Sequence, residues 1–212
     1  IYYNGSAWVF DPGDINGIDD DGNGYVDDLI GWDFKLNAGD AMHMNPYESS
    51  GHGTRVSGIA NARTNNAIGV CSVAWNVTLM PISCSYPGST DIFRGIDGIL
   101  YAAENGAHVI NCSWGGTTYS QANQDVINYV YNTLGSIIVA ASGNDNAEFP
   151  RYPSGYDNVV AVVNVSNAGV HAGGNYGAQI DVAAPTTGIR TTNGATYAAM
   201  TSATSYASPI AS

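Results

Sequence analysis

Residues 51–62 read GHGTRVSGIANA. A histidine between two glycines, followed by Thr54, marks a loop turning into a helix, because Val56, Ile59 and Ala60 then recur at helical spacing. His52 is thereby a first-turn residue held close to neighbouring backbone. Alone, such a histidine is an ordinary hydrogen-bonded structural residue. Two later stretches change its meaning: VAASGNDN at 139–146 brings Asn144, and TSATSYASP at 201–209 brings Ser205. A base, an amide donor and a hydroxyl, in that order, are the parts of acyl transfer.

Outward from this stretch, strand-like and helix-like segments alternate. Val77 to Ser83 reads as a buried strand, Asp91 to Asn105 as a helix closed by Gly106, and His108 to Trp114 as a strand. Ser120 to Leu134 follows as a helix, then strands at Ser136 to Ala141, Val159 to Val165 and Ile180 to Ala183. A last helix begins at Ala203. This order predicts an α/β fold with a mainly parallel sheet covered on both faces, and no repeat or linker divides it. In such a sheet the site lies beyond the carboxyl ends of the strands, so Asn144 and the Ser113 to Gly116 stretch share one edge. Gly115 and Gly116 would let a peptide backbone approach closely.

The first 50 residues hold one dense motif, DDDGNGYVDD at 19–28. Counting from Asp19, oxygen ligands fall at Asp21, Asn23, the Tyr25 carbonyl and Asp27, with Gly24 at the sixth position. That spacing suits a calcium loop. Position twelve is Ile30, which argues against an EF-hand, and Asp28 can supply the missing carboxylate. Without an ion, so many carboxylates form a self-repelling turn.

The chain has 212 residues, 44% of them hydrophobic, enough for one domain with a large core. Its net charge is −12, from 18 acidic against 6 basic residues. Such a surface repels nucleic acid and anionic membrane, so neither is expected as a partner. Cys71, Cys84 and Cys112 are expected as buried free thiols with at most one disulfide. Of the sequons at Asn4, Asn76, Asn111 and Asn164, most are chance matches, since Asn76 and Asn111 lie in or beside strands.

GHGTRVSG resembles the GHGTHVAG motif of subtilisin-like serine proteases, INCSWGG their substrate-binding strand, AASGNDN their oxyanion-asparagine segment and SATSYASP their SGTSMASP nucleophile motif. GIDDDGNGYVDDLIGWDF resembles an insertion of secreted bacterial members. The resemblance implies a three-layer α/β catalytic domain over 1–212. It implies His52 as general base, Ser205 as nucleophile and Asn144 as oxyanion donor. It also implies Ser113, Trp114, Gly115 and Gly116 along the substrate, a polypeptide substrate, and an extracellular location. The departures are Arg55 for a histidine, Ala203 for a glycine, Tyr206 for a methionine and Ile210 for a histidine.

The family's aspartate strand, which should precede the acidic insertion, is not found, and the nucleophile helix stops early. The expectation is therefore a domain truncated at both ends, completed by missing segments of its precursor or by neighbouring copies. Asp11, after the apolar run Ala7 to Phe10, is the internal candidate for the aspartate and otherwise a turn-initiating residue. A catalytically silent, subtilase-fold assembly protein is the alternative to an endopeptidase. Asp145 and Glu148 suggest a preference for basic side chains in the first pocket.

Overall fold

The computed structural model describes residues 2–3, 8–9, 15–39, 51–85 and 91–212. In chain order the strands are β1 (Tyr2–Tyr3), β2 (Trp8–Val9), β3 (Trp32–Asp33), β4 (Ile82–Ser83), β5 (Val109–Cys112), β6 (Ile137–Ala141), β7 (Val159–Val165), β8 (Val182–Pro185), β9 (Arg190–Asn193) and β10 (Thr196–Ala199). The helices are α1 (His52–Asn61), α2 (Gly95–Glu104), α3 (Gln121–Tyr129) and α4 (Thr204–Ala211). The chain forms two compact units, one of Ile1–Ser49 with Met80–Gly98, the other of Ser50–Leu79 with Ile99–Ser212.

In the second unit β5, β6, β7 and β8 lie side by side in that order, all parallel. Four successive residues of β6, Ile138 to Ala141, are buried, as a strand covered on both faces requires. Val139, Val162 and Ala184 pack with Ala207 of α4, and Ile210 and Ala211 flank them. Helix α4 therefore lies along the sheet. Because the strands are parallel, β5 and β6 deliver Ser113 and Asn144 to the same edge.

Smaller differences from the sequence expectations have local causes. Only Ile82–Ser83 of the Val77 to Ser83 run is strand, while Val77 and Leu79 are about half exposed at 50% and 43%. Pro81 cannot donate to a ladder, and the Val77 carbonyl is instead taken by the Asn61 amide at 2.6 Å. Helix α2 starts four residues later than expected at Gly95, because Ile92 bridges to Ser85. It ends at Glu104, just before the turn at Gly106, whose φ is 83°. Ser120 caps α3, accepting from the Asn123 N–H, and the last turn, Val130–Leu134, is π-helical up to left-handed Gly135. The strand expected at Ile180 begins at Val182.

The β9–β10 hairpin was missed, although Asn193-Gly194 between two runs of strand formers is a turn signal. Cys71 is exposed rather than buried, and all three cysteines are free. Burial raises the Cys84 thiol to about 12, with Asp97 and Asp33 adding to the effect. Asn164 is 1% exposed, so its sequon is inaccessible in the folded chain.

In the first unit β3 pairs parallel with β4, Trp32 with Ile82 and Asp33 with Ser83. Trp32 and Phe34 are buried, and the Tyr25 ring meets Trp32 edge-on at 4.8 Å. The Asp33 carboxylate, itself buried, accepts the N–H groups of Lys35 and Leu36, both at 2.8 Å. Within the Ala7 to Phe10 run, Trp8–Val9 is strand, paired antiparallel with Tyr2–Tyr3. Asp11 lies outside the described residues.

Candidate active site

Helix α4 begins after Ala203, whose φ of −158° is extended and needs no glycine. Ala203 offers no side-chain cap, and Asn144 fills the role from the end of β6. Its Oδ1 accepts from the Thr204 N–H at 2.9 Å and from the Thr204 hydroxyl at 3.0 Å. With the oxygen so engaged, the amide group left to act as a donor is Nδ2. Ser205 then occupies the first turn, where helix N–H groups have no partner within the helix.

Pro209 shapes the next contact. The Ser205 carbonyl would accept from the N–H of residue 209, which proline lacks. The Ser113 hydroxyl takes that place, donating to the Ser205 oxygen at 2.8 Å. It in turn accepts from Asn111 Nδ2 at 2.9 Å, and Asn111 Oδ1 accepts from the Ser208 hydroxyl at 2.6 Å. A polar chain thus fixes α4 on β5. The Ser205 hydroxyl lies 3.4 Å from the Ser113 carbonyl, a weak contact from which it can rotate.

His52 opens α1 after Gly51, whose φ of 52° suits glycine. Three bonds to the hairpin hold this helix. The hydroxyls of Thr191 and Thr192 donate to the carbonyls of Arg55 and Thr54 at 2.8 and 2.6 Å, and Arg55 Nε donates to Asn193 Oδ1 at 2.9 Å. Arg55, where the family has a second histidine, is thus a structural tie. Helices α1 and α4 pack together, and the His52 ring lies 6.0 Å from that of Tyr206, beside Ser205. His52 and Ser205 therefore stand at the N-terminal turns of two helices in contact.

Next to Ser205 is a cleft of about 230 Å³. Ser113, Trp114 and Gly115 form one side, and Gly143, Asn144 and Asp145 another. Gly116, expected along the substrate, exchanges both backbone hydrogen bonds with Tyr152 at 2.8 Å. Gly116 itself does not line the cleft. Arg151 also lines the cleft and pairs with Asp145, holding that carboxyl below its usual range. Asp145 therefore presents no free charge to a basic side chain, contrary to the sequence reading. Arg151 and Asn175, both partners of Asp145, escaped that reading because neither lies in a motif or shares an element with Asp145.

In the first unit, the loop 19–28 is folded around its own carboxylates. Asp19 accepts the N–H groups of Gly22, Asn23 and Gly24, and these keep it ionised below the usual range. Asn23 Nδ2 sits between Asp21 Oδ2 at 3.3 Å and Asp28 Oδ2 at 3.0 Å. Asp27 turns to the N–H groups of Asn16 and Gly17. The donors are all oxygen, as a hard cation prefers, and an amide nitrogen stands between two of the carboxylates. Among the described residues no three acidic, histidine or cysteine side chains form a ready cage. Asn23 Oδ1 accepts from the Tyr25 N–H at 2.8 Å, so holding a cation would require Asn23 to turn that oxygen inward.

Comparison with known proteins shows the family. The Peptidase_S8 family, described as the subtilase family, matches residues 18–212. Thermitase of Thermoactinomyces vulgaris is 36% identical over 84% of this chain and 63% of its own length. A thermophilic serine proteinase of Bacillus sp. strain AK1 is 40% identical over 85% of this chain and 44% of its own. The chain thus spans less than two thirds of these relatives. Among solved structures, a protease of Pseudoalteromonas arctica PAMC 21717 matches with a TM-score of 0.68 and 32% identity, over 75% of this chain and 55% of that one.

Proposed function

The chain belongs to the subtilase family, and from that premise we propose that it carries the nucleophile, base and oxyanion donor of a secreted serine endopeptidase acting on polypeptides. One observation carries the reading: Thr204 occupies the Asn144 oxygen, so that the amide N–H₂ is the group offered beside Ser205. Ser205 Oγ attacks the peptide carbonyl carbon and its proton passes to the His52 imidazole. The Asn144 amide and a backbone N–H of the α4 first turn hold the oxyanion. The C–N bond then breaks as His52 returns the proton to the leaving amine, and water releases the acyl group by the reverse sequence. An aspartate that orients His52 is part of this chemistry.

Asn144→Leu tests the proposal. Turnover of a peptide substrate by the intact protein should fall about 10²- to 10³-fold with KM little changed, a magnitude taken from subtilisin of the same family. Unchanged turnover would remove Asn144 from the mechanism.

We further propose that Asp19, Asp21, Asn23, the Tyr25 carbonyl and Asp28, with Asp27 bracing the loop, hold a structural calcium ion. The charge would then be neutralised where the loop 19–28 is most acidic. An extracellular site for the protein suits this reading, because calcium is plentiful there. No helix among the described residues is long and apolar enough to cross a membrane.

A further inference from the structure

Arg151 is built into the cleft rather than placed on its rim. Its stem runs between two glycines: a Cβ added to Gly115 would sit 3.3 Å from Arg151 Cβ, and one on Gly143 would sit 2.7 Å from Arg151 Cγ. Gly143 has a φ of 105°, so both its backbone and the packed stem call for glycine. The guanidinium then forks onto Asp145, Nε donating to Oδ2 at 2.8 Å and Nη2 to Oδ1 at 2.6 Å. Asp145 is fixed from behind by fully buried Asn175. That side chain accepts from the Asp145 N–H at 2.8 Å, and donates to Asp145 Oδ2 and the Phe149 carbonyl, each at 3.2 Å. The following residue, Tyr152, bridges to Gly116. Stem, ion pair and the Asn175 contacts together make a charge-compensated wall of the cleft.

We propose that Arg151 determines the specificity of this cleft: by pairing with Asp145 and cancelling its charge, it makes the pocket accept an uncharged side chain over lysine, arginine, aspartate or glutamate. The proposal rests on the acyl-transfer reading of the same cleft, which fixes where the substrate side chain enters. A bidentate pair held on both sides has no cause to open for a single cationic or anionic side chain, since either would leave one partner uncompensated. Removing one partner exposes the other charge to the substrate.

The test measures binding rather than turnover. N-acetyl tetrapeptides with free carboxyl termini ending in Leu, Lys or Glu mimic the acyl-side product, and their binding to the intact protein is measured by calorimetry. The wild type should favour the Leu-ended peptide. Arg151→Met, which keeps the stem, should raise the affinity for the Lys-ended peptide relative to Leu by about tenfold. Asp145→Asn should do the same for the Glu-ended peptide. The double variant should return to the wild-type pattern, which controls for loss of structure. A wild type that already prefers a charged end, variants with unshifted preferences, or no binding of any peptide would overturn the proposal. A shifted pattern without covalent reaction at Ser205 would instead count against the enzymatic reading alone.

Discussion

At the level of single residues, the site depends on polar groups that repair defects left by neighbours. Pro209 removes the donor for the Ser205 carbonyl, and Ser113 restores it. Ser113→Ala leaves that carbonyl and the Asn111 amide each short of a partner in a part-buried setting. The expected cost is about 1–3 kcal/mol in denaturant unfolding, with slower turnover because Ser205 loses its tether. Stability within about 0.5 kcal/mol of the wild type would show that the chain of bonds from Asn111 to Ser205 is unimportant. Asn144 has two duties, capping α4 and offering an amide. The first was invisible in the sequence, since the capped residue lies 60 positions away. His52, Asn144 and Ser205 themselves were legible because each sits in a short motif at the end of a strand or the start of a helix. Arg151 was not, because nothing local in FPRYP says that its side chain lines a cleft and pairs with Asp145.

At the level of elements, β6 and β7 were readable from composition, being largely buried runs rich in Val, Ile and Ala, and β5 from the alternation of buried Ile110 and Cys112 with more exposed neighbours. The β9–β10 hairpin was not read, because RTTN and TYAA are neither apolar nor strongly alternating; its turn dipeptide was the only sign. Yet this hairpin positions His52. Helix α1 approaches β9 so closely at Gly58 that an added Cβ would overlap the Thr191 and Thr192 hydroxyls. Gly58→Ala should therefore push α1 away and cost about 1–3 kcal/mol by overpacking, despite alanine's better helix propensity. A stabilised variant would mean that the helix and hairpin have slack between them. The Val77 to Ser83 segment illustrates the opposite error, where apolar composition suggested a strand that Pro81 interrupts.

At the level of the whole molecule, the acidic loop and the candidate catalytic groups fall in different compact units. A calcium ion at 19–28 should stabilise the fold by mass action, since the unfolded chain cannot assemble its ligands. Chelation should lower the melting temperature, and terbium replacing calcium should luminesce through Tyr25 and Trp32, whose rings lie 4.8 Å apart. Asp21→Asn with Asp28→Asn should abolish both effects. A melting temperature unmoved by chelator, in protein shown to hold no metal afterwards, would refute the site.

The central claim is that Ser205 is an activated nucleophile beside His52 and Asn144. Its most direct test is reaction of the intact protein with a fluorophosphonate, read by mass spectrometry of the intact chain and of its peptides. The account predicts one adduct per chain, located on Ser205, absent from Ser205→Ala and slowed in His52→Ala. No adduct on folded protein would contradict it and favour a subtilase-fold protein whose role is structural.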